Sequence, residues 1–284
     1  MENISKNCYV FQTDSEIVKQ VYENRNNYLI EHTESGEKSI CAVYFSSNDI
    51  YYPNTKEIFT KRIDEKNFFE WYHTRIDRAY KHIFIRDVFK QWYLAGISQK
   101  INSPEKLVEF LRNETKGFDI ITIGSSAGGY AAILYGSLIN AKTAIAFNPQ
   151  FEIASLLKRS SEQTNPLVFR LKDTRKQYYD IVPFLNNRTE VFYFFSSESQ
   201  WDIEQNKHIS PVSGLHKIQF KSRHHGIPFL KAALPKVLNA KIEYLRNLEK
   251  EPHNPIFFTI RLIGFRKTIN GLISQLYQVY RKRR

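Results

Sequence analysis

The chain has 284 residues, a formal net charge of +12, 42% hydrophobic and 14% aromatic residues, and only two cysteines, Cys8 and Cys41. That length and apolar content build one globular domain with insertions and exclude a disordered or fibrous chain, while two cysteines exclude a disulfide scaffold. The positive charge implies attraction to something anionic without choosing among nucleic acid, membrane surface, acidic polysaccharide or a nucleotide-bearing cofactor.

In chain order, Met1 to Gln12 is polar around Tyr9-Val10-Phe11, so no secretory signal is expected. No apolar run approaches the ~18 residues of a membrane span. A cytoplasmic protein with Cys8 and Cys41 as buried thiols is the expectation. Ser39 to Phe45 (SICAVYF) predicts a core strand ending in the polar turn Ser46-Ser47-Asn48-Asp49. Glu57 to Tyr80 reads as helix and loop over a sheet. Lys81 to Arg86 (KHIFIR) predicts the next strand. Phe89, Trp92, Tyr93 and Leu94 behind it are spaced for one helical face, with Asp87 as its cap. Ser103 and Pro104 mark a helix start at N-cap and first position.

Phe118 to Ile123 is a β-branched run suited to a strand buried on both faces. It ends in Gly124-Ser125-Ser126-Ala127-Gly128, and Tyr130 to Leu138 is a good helix former. Strand, G-x-S-x-G turn and helix make a nucleophile elbow with Ser126 at its tip. Gly124 and Gly128 are required where strand and helix pass too close for side chains. Ala141 to Phe147 (AKTAIAF) predicts a further buried strand. The alternation predicts a mainly parallel, doubly wound, α/β-hydrolase-like sheet with helices on both faces.

A serine hydroxyl is a weak nucleophile alone, so Ser126 needs a base and an oxyanion site. Glu190 to Ser197 and His216 to Ser222 predict two more strands. Asp202 follows the first, with Glu198 and Glu204 as competitors, and His224-His225-Gly226 follows the second. The order Ser126, Asp202, His224 or His225 is that of an α/β-hydrolase triad. His225 is preferred because Gly226 lets the loop bend it inward. Ala127 and either Ser47 or Asn48 are the candidate oxyanion N–H donors. No metal-ligand spacing is present, so no metal site is expected.

Residues 152–185 are polar and basic (Arg159, Arg170, Lys172, Arg175, Lys176) and occupy the position of a cap insertion. Leu230 to Leu248 predicts one amphipathic closing helix. From His253 onward no residue is acidic, while Arg261, Arg266, Lys267, Arg281, Lys282, Arg283 and Arg284 are basic. Residues 1–250 are therefore read as the catalytic domain and 251–284 as a basic amphipathic tail that docks on a membrane interface, on a partner or back on the body. No nucleic-acid motif is present and nucleic acid is not an expected partner.

The elbow, the Ser46-Ser47-Asn48 loop, the KHIFIRDVFKQWY segment and the RHHG ending together resemble a bacterial α/β-hydrolase-like group that accompanies capsule and surface-polysaccharide biosynthesis. Some of its members resemble polysaccharide O-acetyltransferases. The resemblance spans about Ser39 to Leu230. It implies a Ser-His-Asp triad, here Ser126, His225 (or His224) and Asp202. It further implies acetyl-CoA as co-substrate with no bound cofactor, a bacterial polysaccharide as acceptor, and a capsule-assembly or inner-membrane setting.

Overall fold

The computed structural model describes residues 13–209 and 213–282, with side chains described as far as Tyr277. Cys8, the Tyr9–Phe11 run, Arg283 and Arg284 lie outside the described residues. The sheet has seven strands in the order β1-β3-β2-β4-β5-β6-β7. They are β1 (Tyr28–His32), β2 (Glu37–Phe45), β3 (Ala79–Ile85), β4 (Asp119–Ser125), β5 (Thr143–Phe147), β6 (Glu190–Ser196) and β7 (Leu215–Phe220). Every neighbouring pair is parallel except β1–β3, and helix α1 (Glu16–Asn24) precedes β1. This is an α/β-hydrolase-like fold. The half-buried edge strand β1 is the one strand that the sequence reading does not contain.

Alternation within apolar strands divides the core between the two sheet faces. Cys41, Val43 and Phe45 face one side, while Ala42 and Tyr44 face the other. The first face is covered by α2 (Pro104–Glu114), by α3 (Ala127–Leu138), and by buried Val168, Tyr178, Tyr179 and Ile181 from the 152–185 insertion. Helix α2 starts as predicted, with Ser103 Oγ accepting from the Lys106 N–H at 3.2 Å. The second face is covered by Phe229, Leu234, Val237, Leu245 and Phe258. Cys41 is fully buried, and burial pushes its thiol up to about 12.

Two expectations are corrected. The 89–94 segment is not helical: Lys90, Trp92 and Tyr93 have positive φ. Buried Asp87 accepts from the backbone N–H groups of Phe89, Gln91 and Tyr93 at 2.8–3.0 Å, and these local bonds displace the helical ones. Residues 230–248 do not form one helix either. They break into Lys231–Ala233, Leu234–Leu238 and Ile242–Asn247, because Pro235 and the Asn239-Ala240-Lys241 turn interrupt the pattern. Beyond them lie α5 (Pro255–Ile263) and α6 (Phe265–Lys282).

Candidate active site

Ser126 sits between β4 and α3 with φ 52° and ψ −123°, a conformation that an L-residue adopts at a cost of ~1–3 kcal/mol. Close approach enforces it. A Cβ on Gly124 would lie 2.0 Å from the Gly128 carbonyl oxygen, and one on Gly128 2.3 Å from that of Phe45. The turn therefore lifts the Ser126 side chain off the carboxyl edge of the sheet and leaves the first N–H groups of α3 without helical acceptors.

The Ser126 hydroxyl lies 2.8 Å from His225 Nε2, and His225 Nδ1 lies 2.8 Å from Asp202 Oδ1. A carboxylate only accepts, so Nδ1 carries the proton and Nε2 is left to accept from Ser126. Asp202 is 1% exposed at the first turn of α4 (Gln200–His208), and its Oδ2 has no partner among the described residues. Trp201 stacks on the imidazole, with ring centroids 5.4 Å apart and planes 11° from parallel.

The 224–226 loop is clamped from below. Ser196 Oγ donates to the His224 carbonyl at 2.6 Å, and Asn148 Nδ2 donates to the carbonyls of His224 and Gly226 at 3.2 and 2.8 Å. Gly226 takes φ +109°, which turns the chain so that His225, of the two histidines, meets Ser126. His224 lines the same cavity, and burial, aided by the charge of Lys231, lowers its pKa. Glu204 bonds instead to Arg159, and Glu198 lies within 3.7 Å of Arg223; neither approaches His225 by hydrogen bond.

The oxyanion candidates are arranged unequally. The Ala127 and Asn48 N–H groups have no acceptor among the described residues. The Ser47 N–H donates to Glu70 Oε2 at 2.5 Å. Burial raises the Glu70 pKa, opposed by that bond and by Lys231. Ser47, Asn48, Glu70, Ser126, His225 and Lys231 are among the residues lining a cavity of about 210 Å³. No described residue of 152–185 lines it; Gln275 of α6 does. No group of three or more His, Cys, Asp or Glu among the described residues is arranged to hold a metal.

Glu70 and Gln150 are among the site residues absent from the sequence reading. Gln150 Nε2 lies 3.4 Å from both Ser126 Oγ and His225 Nε2. Its position just after β5, at the carboxyl edge where such sheets bind ligands, is the signal that points to it.

No protein-family model matches the chain, and no curated protein matches it by sequence. Among solved structures, the chain is similar to a capsule O-acetyltransferase of Neisseria meningitidis serogroup A at 13% identity and a TM-score of 0.49, over 80% of this chain and 93% of that one. It is similar to a protein of unknown function from Staphylococcus aureus at 13% identity and a TM-score of 0.47, over 78% and 94%. Esterase B from Lactobacillus rhamnosis aligns at 12% identity and a TM-score of 0.36, over 71% and 78%. The α/β-hydrolase-like fold rests on the strand order and on the elbow at Ser126, and not on these likenesses.

Proposed function

We propose that the chain is a serine acyltransferase that moves an acetyl group from acetyl-CoA to a hydroxyl of a bacterial surface polysaccharide. The hydrogen-bonded run Asp202–His225–Ser126 is the observation that carries this reading. His225 takes the Ser126 proton as Oγ attacks the thioester carbonyl, and the Ala127 and Asn48 N–H groups receive the oxyanion. The carbonyl re-forms, the C–S bond breaks, and the coenzyme thiol leaves with the proton from His225. A sugar hydroxyl then gives its proton to His225 and attacks the acetyl-serine, which returns Ser126 to its free form. Asp202 keeps the proton on Nδ1 and stabilises the imidazolium that forms in each half-reaction.

The size of the cavity supports a short acyl group. About 210 Å³ is below the ~300–1,000 Å³ of sites that enclose drug-sized ligands and has room for an acetyl group beside Ser126. Incubation with radiolabelled acetyl-CoA, alone and then with a panel of bacterial polysaccharides, tests the reading. Wild type becomes labelled and passes the label to one glycan, while Ser126→Ala does neither and stays folded. Full activity of Ser126→Ala removes the triad.

A second reading, a carbohydrate esterase, is favoured by the absence of any lining residue from 152–185: an uncovered acyl-enzyme is open to water. Release of free acetate from an acetylated glycan, dependent on Ser126 and indifferent to acetyl-CoA, establishes it.

A further inference from the structure

Helix α6 is amphipathic, yet it packs on the body with the face opposite to the one expected. Thr268, Gly271 and Gln275 form the inner stripe. Thr268 is 1% exposed, a Cβ on Gly271 would come within 2.6 Å of the Ala232 side chain, and Gln275 Oε1 accepts from the Lys231 N–H at 3.4 Å. Four large apolar residues point away. Phe265, Ile269, Ile273 and Leu276 recur at helical spacing with 37–65% exposure, and Phe257 of α5 adds 72%. A helix that buries its small and polar residues and turns its Phe, Ile and Leu outward has not found the surface that its apolar stripe fits.

Charge names that surface. Residues 253–284 contain no Asp or Glu, while Arg261, Arg266 and Lys267 sit on α5 and α6 and Arg281, Lys282, Arg283 and Arg284 follow in the sequence. No helix among the described residues is long and apolar enough to cross a membrane. We infer that α5 and α6 lie in the interface of an anionic lipid bilayer, with the apolar stripe at the acyl boundary and the basic residues against the headgroups. Gln275, next to Leu276 in the chain, also lines the Ser126 cavity, so docking sets that cavity near the lipid surface and, on the proposed acyltransferase reading, suits it to a membrane-associated glycan.

Co-sedimentation of the full chain with vesicles of phosphatidylcholine alone, or with phosphatidylglycerol added, tests the inference. Wild type binds the anionic vesicles at least roughly tenfold more tightly, and high salt removes most of the difference. Ile273→Glu/Leu276→Glu abolishes binding while leaving the far-UV circular dichroism unchanged, since both positions are exposed. Docking does not depend on the chemistry at Ser126, so Ser126→Ala binds as wild type whatever becomes of the acyltransferase reading. Equal binding to both vesicle types overturns the inference. So does absence of binding, including the case in which sedimentation velocity shows a dimer that the double variant dissolves.

Discussion

The Trp92 indole N–H donates to Gln150 Oε1 at 3.0 Å, and because an indole can only donate, it turns the amide NH₂ of Gln150 toward Ser126 Oγ. Trp92 thus reaches the Ser126 hydroxyl through one intermediate side chain. Gln150→Ala is expected to slow labelling of Ser126 by a serine-directed phosphonate about five- to tenfold, the worth of one hydrogen bond. Trp92→Phe slows it in the same direction by releasing the amide. An unchanged labelling rate in both variants refutes this link.

Among the described residues the Asp202 carboxylate accepts only from His225, and the wrong imidazole tautomer follows when an amide replaces it. Asp202→Asn is expected to lower kcat by about 10³–10⁴ while the protein stays folded. Steady-state kinetics on an activated acetyl ester check this. A loss below tenfold takes Asp202 out of the triad.

Glu70 ties the Ser47 N–H, and with it the 46–49 loop that carries Asn48. Glu70→Ala leaves that N–H without its acceptor. It is expected to cost ~1–3 kcal/mol of stability and to slow acylation, whereas Glu70→Gln keeps an acceptor oxygen and restores both. Urea unfolding and the acylation rate, measured on both variants, separate a positioning role from general damage. Failure of Glu70→Gln to recover acylation argues against positioning.

Burial raises Asp87 from 3.8 to about 6, against the opposing backbone N–H bonds to its carboxylate. The folded chain therefore holds this proton more tightly than the unfolded chain does. The stabilisation is fully present below about 3.8 and is lost as pH rises through about 6. Asp87→Asn lacks that titration, so its destabilisation relative to wild type is expected to be larger at pH 5 than at pH 7.5 by on the order of 1 kcal/mol. Chemical denaturation of both proteins at the two pH values reads it directly, and an equal difference at both excludes the shifted carboxyl.

Gly128 faces the Phe45 carbonyl at a distance that admits no side chain. Gly128→Ala is expected to yield insoluble or unfolded protein, whereas Gly117→Ala, with open space around its Cβ position, costs only the strain of its φ of +85°. Soluble yield and thermal unfolding compare the two. A folded, stable Gly128→Ala refutes the close-approach account.

Local pattern alone specified much of this molecule. The apolar run at 39–45 read as a core strand, that at 118–123 as a strand buried on both faces, and G-x-S-x-G between strand and helix as a tight turn. Asp202 and His224-His225 each followed a predicted strand, which places them at the same sheet edge as Ser126. Each of these inferences depends on neighbours within a few residues or on the parity of a parallel sheet. The Phe89–Leu94 spacing misled because it is also compatible with a loop wound around the Asp87 carboxylate, a bond pattern that side-chain periodicity does not encode.

What only the tertiary structure decided is which distant groups meet. Glu70 reaches Ser47 from 23 residues away and Gln150 reaches Ser126 from 24, and neither carries a local signature, because a lone Glu or Gln in a loop is ordinarily solvated. Gly226 already favoured His225 over His224 in the sequence, but only the fold supplies the Asn148 and Ser196 clamp on that loop and brings His225 Nε2 to Ser126. In α6, periodicity established that Phe265, Ile269, Ile273 and Leu276 share one face. It could not establish that this face points outward, because a hydrophobic pattern states which side chains lie together and the shape of the docking surface selects which stripe is buried.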